Sequence, residues 1–307
     1  MIVTVTINPS VDRTIQLPSR LVRDSVLRAS AVTSQAAGKG VNVSRALAHA
    51  SIPTRAIVRA DYHDPYVREL VESGLAVVTV DPGASVRTNI SLAEPDGTTT
   101  KINEPGSPLS AAAVAALHDV VAAEAPRASW VVLAGSLPPG ADVELLADLA
   151  RTARIAAPAV RIAVDTSGAP LTALRTAGVR IDLIKPNLEE LAELTGSNPA
   201  TLGTPEAVAS ACTALRADGI AAVLATLGAA GAVLASADGA WHATHPPVIA
   251  RSTVGAGDSS LAGYLIADAE RLSPAARLAR AVAYGSAAVS LPGTTIPRPT
   301  DTRPDQG

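Results

Sequence analysis

The sequence predicts an α/β fold built around a mainly parallel β-sheet with helices on both faces. Strand-like apolar runs alternate with alanine- and leucine-rich helical runs along most of the 307 residues. The strand-like runs are continuously apolar, as in strands that are buried on both faces. Hydrophobic residues make up 48% of the chain and charged residues 17%, which is sufficient for one large core.

The predicted elements follow one another regularly, and turn residues close most of them. As far as residue 154 we predict, in order, the strand IVTVTIN, the helix VNVSRALAHAS, the strand RAIVRA, the helix PYVRELVESG, the helix LSAAAVAALHDVVAAEA, the strand SWVVLAGS and the helix DVELLADLARTAR. The remainder contains the strands VRIAVDTSG and IDLIKPN, the helices LEELAELTG and PEAVASACTALRADG, the strands IAAVLATLG and AAGAVLAS, and a helical region from about residue 256 to 290 that is interrupted near residues 273–274.

Two segments depart from this alternation. DRTIQLPSRLV and VRTNISLAEPDGTTTKINEPG alternate polar and apolar residues, which is typical of a half-exposed antiparallel sheet, and EPDGTT favours a hairpin turn. We therefore predict a single domain over residues 1–307 with insertions at about 12–35 and 86–105. The insertions are expected to form a small sheet that covers the strand ends as a lid.

Charge and composition exclude several classes of protein. The net charge of −3 and the pI of about 6.0 give no basic surface for nucleic acid or for a membrane. No apolar stretch reaches about 18 residues without a charge, proline or glycine, so no membrane span is expected. The single cysteine, Cys212, cannot form an internal disulfide, and this favours a reducing, cytoplasmic location.

Lysine is scarce, and its positions are informative. Only three of the 25 basic residues are lysines, namely Lys39, Lys101 and Lys185. All three lie in segments that contain glycine or proline, and none lies on a predicted helix surface. We favour a role in ligand binding over chance for this distribution.

The segment STVGAGDSS is a glycine-rich loop that leads into a helix. Such a loop directs backbone N–H groups and the positive end of the helix towards one point, which suits an anion and especially a phosphate. The spacing is not that of a Walker loop. Asp258 would lie beside the anion, although an aspartate in a first helical turn is more often only a partner of the helix dipole.

Three other segments carry candidate polar groups. Lys39 and Asn42 lie at the entrance of the helix that follows AAGKG, and Asp12 lies just after the first strand, where it could accept hydrogen bonds from hydroxyls. Asn187 and Glu190 are one helical turn apart, a spacing that suits a hydrated magnesium ion and phosphate oxygens. The same spacing fits a helix capping box equally well.

Taken together, these segments resemble one family. TINPSVD, AAGKGVNVSRAL, VRTN, AGSLPPG, VDTSG, KPNLEEL, TLGAAGA, STVGAGDS and GTTIP occur in this order. The set is similar to the PfkB branch of the ribokinase-like sugar kinases, most of all to its 1-phosphofructokinases and tagatose-6-phosphate kinases. The resemblance extends from Val3 to about Pro297. It implies a ribokinase-like three-layer sandwich with a small β-sheet lid, and ATP and Mg²⁺ as cofactors.

The resemblance implies a catalytic group and a sugar-binding group. Asp258 would be the base that takes the proton from the sugar hydroxyl, and the loop formed by Gly255, Ala256 and Gly257 would stabilise the transferred phosphoryl group. The sugar-binding residues would be Asp12, Gly38, Lys39, Asn42, Arg87 and Ser136, with Lys39 and Arg87 on the phosphate already carried by the substrate. Many relatives carry a lysine where this chain has Ser91, and we expect Lys101 to supply that charge.

The resemblance also implies a nucleotide-binding group. Lys185 and Asn187 would position the triphosphate, and Glu190 would hold Mg²⁺ through water. Thr226 and Gly228 match the nucleotide loop, and Val282 and Ser286 would line the adenine pocket.

The function implied is ATP-dependent phosphorylation of a sugar phosphate, foremost of D-fructose 1-phosphate to D-fructose 1,6-bisphosphate. A tagatose-6-phosphate or fructose-6-phosphate kinase is the main alternative. A kinase of an unphosphorylated sugar or nucleoside, and a non-catalytic sugar-phosphate sensor, are further ones. A homodimer through the lid sheets is expected, without a nucleic-acid or membrane partner.

Overall fold

The computed structural model describes residues 1–80 and 86–302. The strands of this part of the chain are β1 (Ile2–Thr6), β2 (Ser10–Gln16), β3 (Ala31–Ala37), β4 (Thr54–Arg59), β5 (Val77–Val80), β6 (Arg87–Ala93), β7 (Thr99–Asn103), β8 (Trp130–Ala134), β9 (Arg161–Asp165), β10 (Leu183–Ile184), β11 (Val223–Thr226), β12 (Ala232–Ser236) and β13 (Gly239–Ala243). The helices are α1 (Lys39–His49), α2 (Pro65–Glu72), α3 (Ala111–Glu124), α4 (Leu145–Ala156), α5 (Ala169–Ala173), α6 (Leu188–Thr195), α7 (Pro205–Ala214), α8 (Ala256–Ala269) and α9 (Pro274–Ser290).

Nine strands form the large sheet, in the order β13-β12-β11-β10-β9-β8-β1-β4-β5. Within the described residues, all neighbours from β11 to β5 are parallel, and the antiparallel pairs of this sheet are β11 with β12 and β12 with β13. The carboxyl ends of the parallel strands therefore meet at one edge of the sheet, which is where ligands bind in open α/β folds.

Helices cover both faces of this sheet. On one face, apolar side chains of α3, α4, α6 and α7 pack against the sheet, with Leu117, Leu149, Leu191 and Cys212 among them. On the other face, α1, α8 and α9 contribute a second core that is centred on residues such as Leu265. The result is the three-layer α/β/α arrangement that the alternating pattern predicts.

Four strands form a separate small sheet, in the order β3-β2-β6-β7. The expectation of a purely antiparallel sheet is wrong for one pair, because β2 and β6 run parallel. These two strands come from different insertions, so no hairpin turn dictates their direction. The strands also begin and end beyond the predicted insertions, since β2 starts at Ser10 and β3 continues to Ala37.

Register divides the small sheet into two chemically different faces. Asp12, Gln35 and Asn89 share one face, and Thr14, Ser91 and Lys101 form the next row on that same face. The opposite face is apolar and carries Ile15, Val32, Ile90, Leu92 and Ile102. Val32 is 47% exposed and Ile102 54% exposed, so the apolar face is open to solvent at these residues.

The α/β class with a large, mostly parallel sheet and a small second sheet is thus as the sequence predicts. The predicted interruption near residue 273 is also present, because Ser273 caps α9 and Pro274 occupies its first position. The short strands β5 and β13 were not predicted. The predicted single domain of residues 1–307 includes stretches outside the described residues. Among the described residues, every helix is too short or too polar to cross a bilayer.

Candidate active site

A cleft of about 420 Å³ lies at the carboxyl edge of the large sheet. Five neighbouring strands of the sheet deliver polar groups to it, because Thr226 ends β11, Lys185 follows β10, Ser167 follows β9, Ser136 follows β8 and Asn8 follows β1. Of the predicted site residues, the cleft is lined by Asp12, Gly38, Lys39, Asn42, Arg87, Ser136, Lys185, Asn187, Glu190, Thr226, Gly255, Gly257 and Asp258.

Asp258 lies in the first turn of α8, at the floor of the cleft. Gly255 enters this helix with φ 76°, a left-handed conformation that favours glycine. The side-chain amide of Asn42 donates to Asp258 Oδ2 at 2.8 Å. Burial raises the pKa of Asp258 from 3.8 to about 6, and the negative charge of Asp165 acts in the same direction. This value suits a proton acceptor that works near neutral pH.

Asp165 connects two of the three lysines. Lys39 Nζ donates to Asp165 Oδ1 at 2.9 Å, and Lys185 Nζ lies 3.3 Å from Oδ2. The Asp165 side chain has no exposed surface. Burial by itself raises the pKa of Asp165, but Lys185 and Lys39 outweigh that effect, so its pKa lies below the ordinary value. The carboxylate is therefore charged and paired on both oxygens.

Lys185 also approaches the glycine loop before α8. A Cβ atom on Gly257 would lie only 2.9 Å from Lys185 Nζ. Glycine at this position leaves room for the ammonium group beside the N-terminus of α8. Backbone N–H groups, a positive helix end and an ammonium group therefore converge at one point near Asp258.

A second cationic group lies where β8 and β1 end. Arg87 Nη1 donates to the carbonyl oxygen of Glu104 at 2.7 Å, and Nη2 lies 3.5 Å from Ser136 Oγ. The Asn8 side chain donates to the same Ser136 hydroxyl at 3.3 Å. Arg87, Ser136 and Asn8 thus form one polar group, at the ends of β8 and β1.

Asp12 projects into the cleft from the small sheet. Its Oδ1 accepts hydrogen bonds from Ser10 Oγ at 2.9 Å and from Asn89 Nδ2 at 3.1 Å. Burial raises the pKa of Asp12, while the hydrogen bonds and the charges of Arg87 and Lys101 oppose this. Both hydrogen bonds are to Oδ1, which leaves Oδ2 for hydroxyl groups of a ligand.

Asn187 and Glu190 form a complete capping box at the start of α6. Asn187 Oδ1 accepts from the Glu190 backbone, and Glu190 Oε2 accepts from the Asn187 backbone, both at 2.8 Å. Both residues also line the cleft. The capping reading is therefore correct, and it coexists with a position suited to ligand binding.

The other predicted residues do not line this cleft. Ala256 lies within the glycine loop, between two residues that do. Gly228 follows β11, and Ser286 is half-buried on α9. Val282 is 5% exposed, because it packs in the second core. Lys101 is exposed on β7, directly opposite Ser91.

Several polar residues of the site were not predicted from the sequence: Asn8, Ser10, Asn89 and Ser167 line the cleft, and Asp165 lies buried beside it. All five lie within segments that were identified: VDTSG contains Asp165 and Ser167, TINPSVD contains Asn8 and Ser10, and VRTN contains Asn89. Their signal was a polar residue at or just after a strand end. Over residues 1–80 and 86–302, no three His, Cys, Asp or Glu side chains are grouped so as to hold a metal ion directly.

Comparison with known proteins agrees with this architecture. The model of the pfkB family of carbohydrate kinases matches residues 5–301. The 1-phosphofructokinase of Rhodobacter capsulatus is 35% identical over 304 residues, which cover 97% of this chain and 93% of that protein.

Two solved structures are also similar. The crystal structure of phosphofructokinase-2 from Escherichia coli in complex with substrates and products has a TM-score of 0.89 at 31% identity, covering 98% of this chain and 96% of that one. The structure of Arabidopsis thaliana ribokinase has a TM-score of 0.73 at 21% identity, covering 98% and 96% of the two chains, which shows a shared fold.

Proposed function

The chain belongs to the pfkB family of carbohydrate kinases, and on that premise we propose that it transfers the γ-phosphoryl group of ATP to D-fructose 1-phosphate. The product is D-fructose 1,6-bisphosphate. The name of the Rhodobacter capsulatus relative, a 1-phosphofructokinase, supports this choice of substrate.

One observation carries the proposal: the cleft contains two separate groups of cations. Arg87, with Ser136, lies at the end formed by β8 and β1, whereas Lys39 and Lys185 meet at Asp165 beside Asp258. A kinase of a neutral sugar needs cations only where the phosphoryl group is transferred. A second cationic end suits a substrate that already carries a phosphate.

Asp258 is the proposed base. It accepts the proton of the attacking hydroxyl, which then bonds to the γ-phosphorus as the bond to the departing ADP oxygen breaks. The base must be ionised to accept a proton. Because the pKa of Asp258 is about 6, we expect kcat/KM to fall as the pH drops through about 6 and to level off above it. A profile of kcat/KM from pH 5 to 9 tests this.

Lys39, Lys185 and the N–H groups of the Gly255–Gly257 loop are proposed to neutralise the charge on the transferred phosphoryl group. The ammonium of Lys39 lies on Asp165, so we assign it to the transferred group as well as to substrate binding. Asp12, Gly38, Asn42 and Asn89 are proposed to hold the sugar. Arg87, Ser136 and Lys101 are proposed to hold its phosphate.

Thr226 and Gly228 would hold the nucleotide, with Val282 and Ser286 beside the adenine. Asn187 and Glu190 fit a hydrated Mg²⁺, because the capping box occupies only one carboxylate oxygen of Glu190. Bound there with ATP, Mg²⁺ would offset the charge of the triphosphate. Glu190 would hold the metal indirectly, through water.

We propose that the small sheet is a lid over the cleft, and that its apolar face pairs with a second copy of the chain. The exposed Val32 and Ile102 support this, since an open apolar sheet face is normally covered. We also keep the prediction of a cytoplasmic enzyme, which the lone, buried Cys212 favours.

An ADP-release assay tests the substrate. It compares fructose 1-phosphate, fructose 6-phosphate, tagatose 6-phosphate, fructose and ribose at equal ATP. We expect the highest kcat/KM with fructose 1-phosphate. A higher value with fructose or ribose would contradict the role of the Arg87 end. ADP release with none of the five, together with measurable binding of a sugar phosphate, would favour a sensor.

Fructose 6-phosphate is the second candidate. The similarity to the Escherichia coli phosphofructokinase-2 structure favours it specifically. The two substrates differ in which end of the sugar carries the phosphate, so the same two cationic ends serve both. The ratio of the two kcat/KM values decides between them.

A further inference from the structure

Asp165 is a buried carboxylate to which the proposed reaction assigns no chemical step. It ends β9, and its backbone carbonyl accepts a hydrogen bond from Gly135 at 2.9 Å, which ties it to the neighbouring strand end. Its side chain is fully buried, whereas the Lys39 side chain is 35% exposed and that of Lys185 4% exposed. A ligand in the cleft can reach the ammonium groups more readily than the carboxylate.

The two lysines come from distant parts of the chain and bind different oxygens of Asp165. Lys39 is the first residue of α1 and Lys185 follows β10. An ammonium group has three N–H donors. Lys39 uses one for Asp165 Oδ1, and Lys185 meets Oδ2 as an ion pair at 3.3 Å, so both keep donors for phosphate oxygens. A lysine side chain is otherwise long and flexible, and Asp165 restricts both to one place.

The location of this cluster is the point of phosphoryl transfer in the proposed function. Lys185 Nζ lies against Gly257, and both Lys39 and Lys185 line the cleft together with Asp258. Asp165 and Asp258 carry two negative charges, and the two lysines carry two positive ones. The charges of these four side chains therefore balance before ATP arrives, and the cations are already oriented.

On this geometry, we propose that Asp165 is a positioning residue that holds the ammonium groups of Lys39 and Lys185 on the transferred phosphoryl group. The inference rests on the proposed kinase function. It assigns Asp165 no contact with the substrate. It also leaves no carboxylate oxygen of Asp165 for direct coordination of a metal ion, because each oxygen faces an ammonium group.

The isosteric variant Asp165→Asn tests this proposal. We expect kcat to fall about 10²-fold, as when one preorganised group at a transition state is lost. The KM for the phosphosugar should change by less than about threefold, because Arg87 and Asp12 remain. The acid limb of kcat/KM should move to lower pH, since the negative charge that helps to raise the pKa of Asp258 is gone. A purely structural role would lower the stability and the amount of folded protein without this selective loss of kcat.

A second readout does not depend on activity. With only three lysines in the chain, ¹³C-labelled lysine gives three Cε signals, and Lys101→Arg identifies that of Lys101. Asp165→Asn should move the two other signals and leave Lys101 unchanged. The matched control is Asp268→Asn, which removes another buried carboxylate and should move neither the acid limb nor the lysine signals.

If Asp165→Asn does not fold, Lys39→Met provides a second test, in which the acid limb of kcat/KM should shift in the opposite direction. Loss of the Lys39 charge should move the acid limb to higher pH and shift the Lys185 signal, because Lys39 lowers the pKa of Asp258. The proposal is overturned if Asp165→Asn leaves both lysine signals and the acid limb in place. It is also overturned if that variant chiefly weakens binding of Mn²⁺, used as a probe, in the presence of ADP.

Failure of the kinase proposal gives a different pattern. The wild type would then release no ADP with any phosphosugar, yet the lysine signals of Asp165→Asn would still move. An active wild type whose signals do not respond to Asp165→Asn overturns only the positioning role.

Discussion

The two edges of the large sheet each hold a buried aspartate with two cations, and the cations differ. At the carboxyl edge, Asp165 binds two lysines beside a cleft. At the amino edge, Asp268 binds Arg161 and Arg277 and accepts a hydrogen bond from Trp130 Nε1 at 2.8 Å. The same elements supply both sites. Strand β9 begins at Arg161 and ends at Asp165, and α8 has Asp258 in its first turn and Asp268 near its end.

The difference shows what each pair is suited for. The Arg161 guanidinium binds both oxygens of Asp268 and stacks 4.4 Å from the Trp130 ring, so its donors and its face are used within the protein. Arginines held by a buried carboxylate in this way fix the packing of α8 on the sheet. Lysines with spare donors facing a cleft are suited to an anionic ligand. The amino edge is thus built for stability and the carboxyl edge for chemistry.

The strongest test of this contrast is Asp258→Asn at the carboxyl edge. Asparagine keeps the shape but cannot accept the proton, so we expect kcat to fall about 10³-fold, within the range for loss of a general base. ATP affinity should change little, because the binding groups remain. Steady-state kinetics and calorimetric titration with ATP measure both quantities. Near-normal turnover would remove Asp258 from the proposed mechanism.

Asp268→Asn should have its effect on stability instead. Two arginines would lose their charged partner, and we expect the free energy of unfolding to drop by about 3 kcal/mol, at the lower end for a broken buried pair because both arginines are partly exposed. Urea denaturation measures this. At temperatures where the variant is folded, kcat should match the wild type. A loss of kcat in the folded variant would contradict the claim that the amino edge serves stability alone.

Two glycines of α8 sharpen the same contrast within one helix. Gly257→Ala would press on the flexible tip of Lys185, so we expect the fold to tolerate it while kcat drops about 10²-fold through the displaced ammonium. Gly263→Ala would place Cβ 2.5 Å from the backbone oxygen of Arg280 in α9. Overpacking of this kind costs about 1–3 kcal/mol of stability. Kinetics and melting curves of both variants should show a loss of kcat for Gly257→Ala and a loss of stability for Gly263→Ala. Equal losses of stability in the two variants would contradict this assignment.

The sequence predicted individual residues at the carboxyl edge better than the contacts between residues that are distant in the chain. The run of small residues before α8 was a local signal that drew attention to Asp258, but only the family resemblance favoured a catalytic role over a partner of the helix dipole. Asp165 was missed because its partner Lys39 is 126 residues away, and only the strand order β10-β9-β8 brings Lys185, Asp165 and Ser136 side by side. The parallel pairing of β2 with β6 was missed for the same reason, since it joins two separate insertions.

The smallest expected effect concerns Lys101, which lies on the small sheet. Lys101 pairs directly with Ser91 on the small sheet, and Thr14 completes a row on the face that carries Asp12 and Asn89. Its charge is among those that act on the pKa of Asp12, so it lies on the cleft side of the sheet. Lys101→Ala should therefore raise the KM for the phosphosugar about three- to tenfold, the effect of one exposed charge on a phosphate.

The matched control for Lys101→Ala is Arg13→Ala. Arg13 is an exposed cation on the opposite, apolar face, in the row of Ile90 and Ile102. Its loss should leave the KM for the phosphosugar unchanged, and neither variant should alter the KM for ATP. If the two variants raised the phosphosugar KM equally, the effect would come from the net charge of the sheet. Lys101 would then not replace the lysine that relatives carry at the position of Ser91.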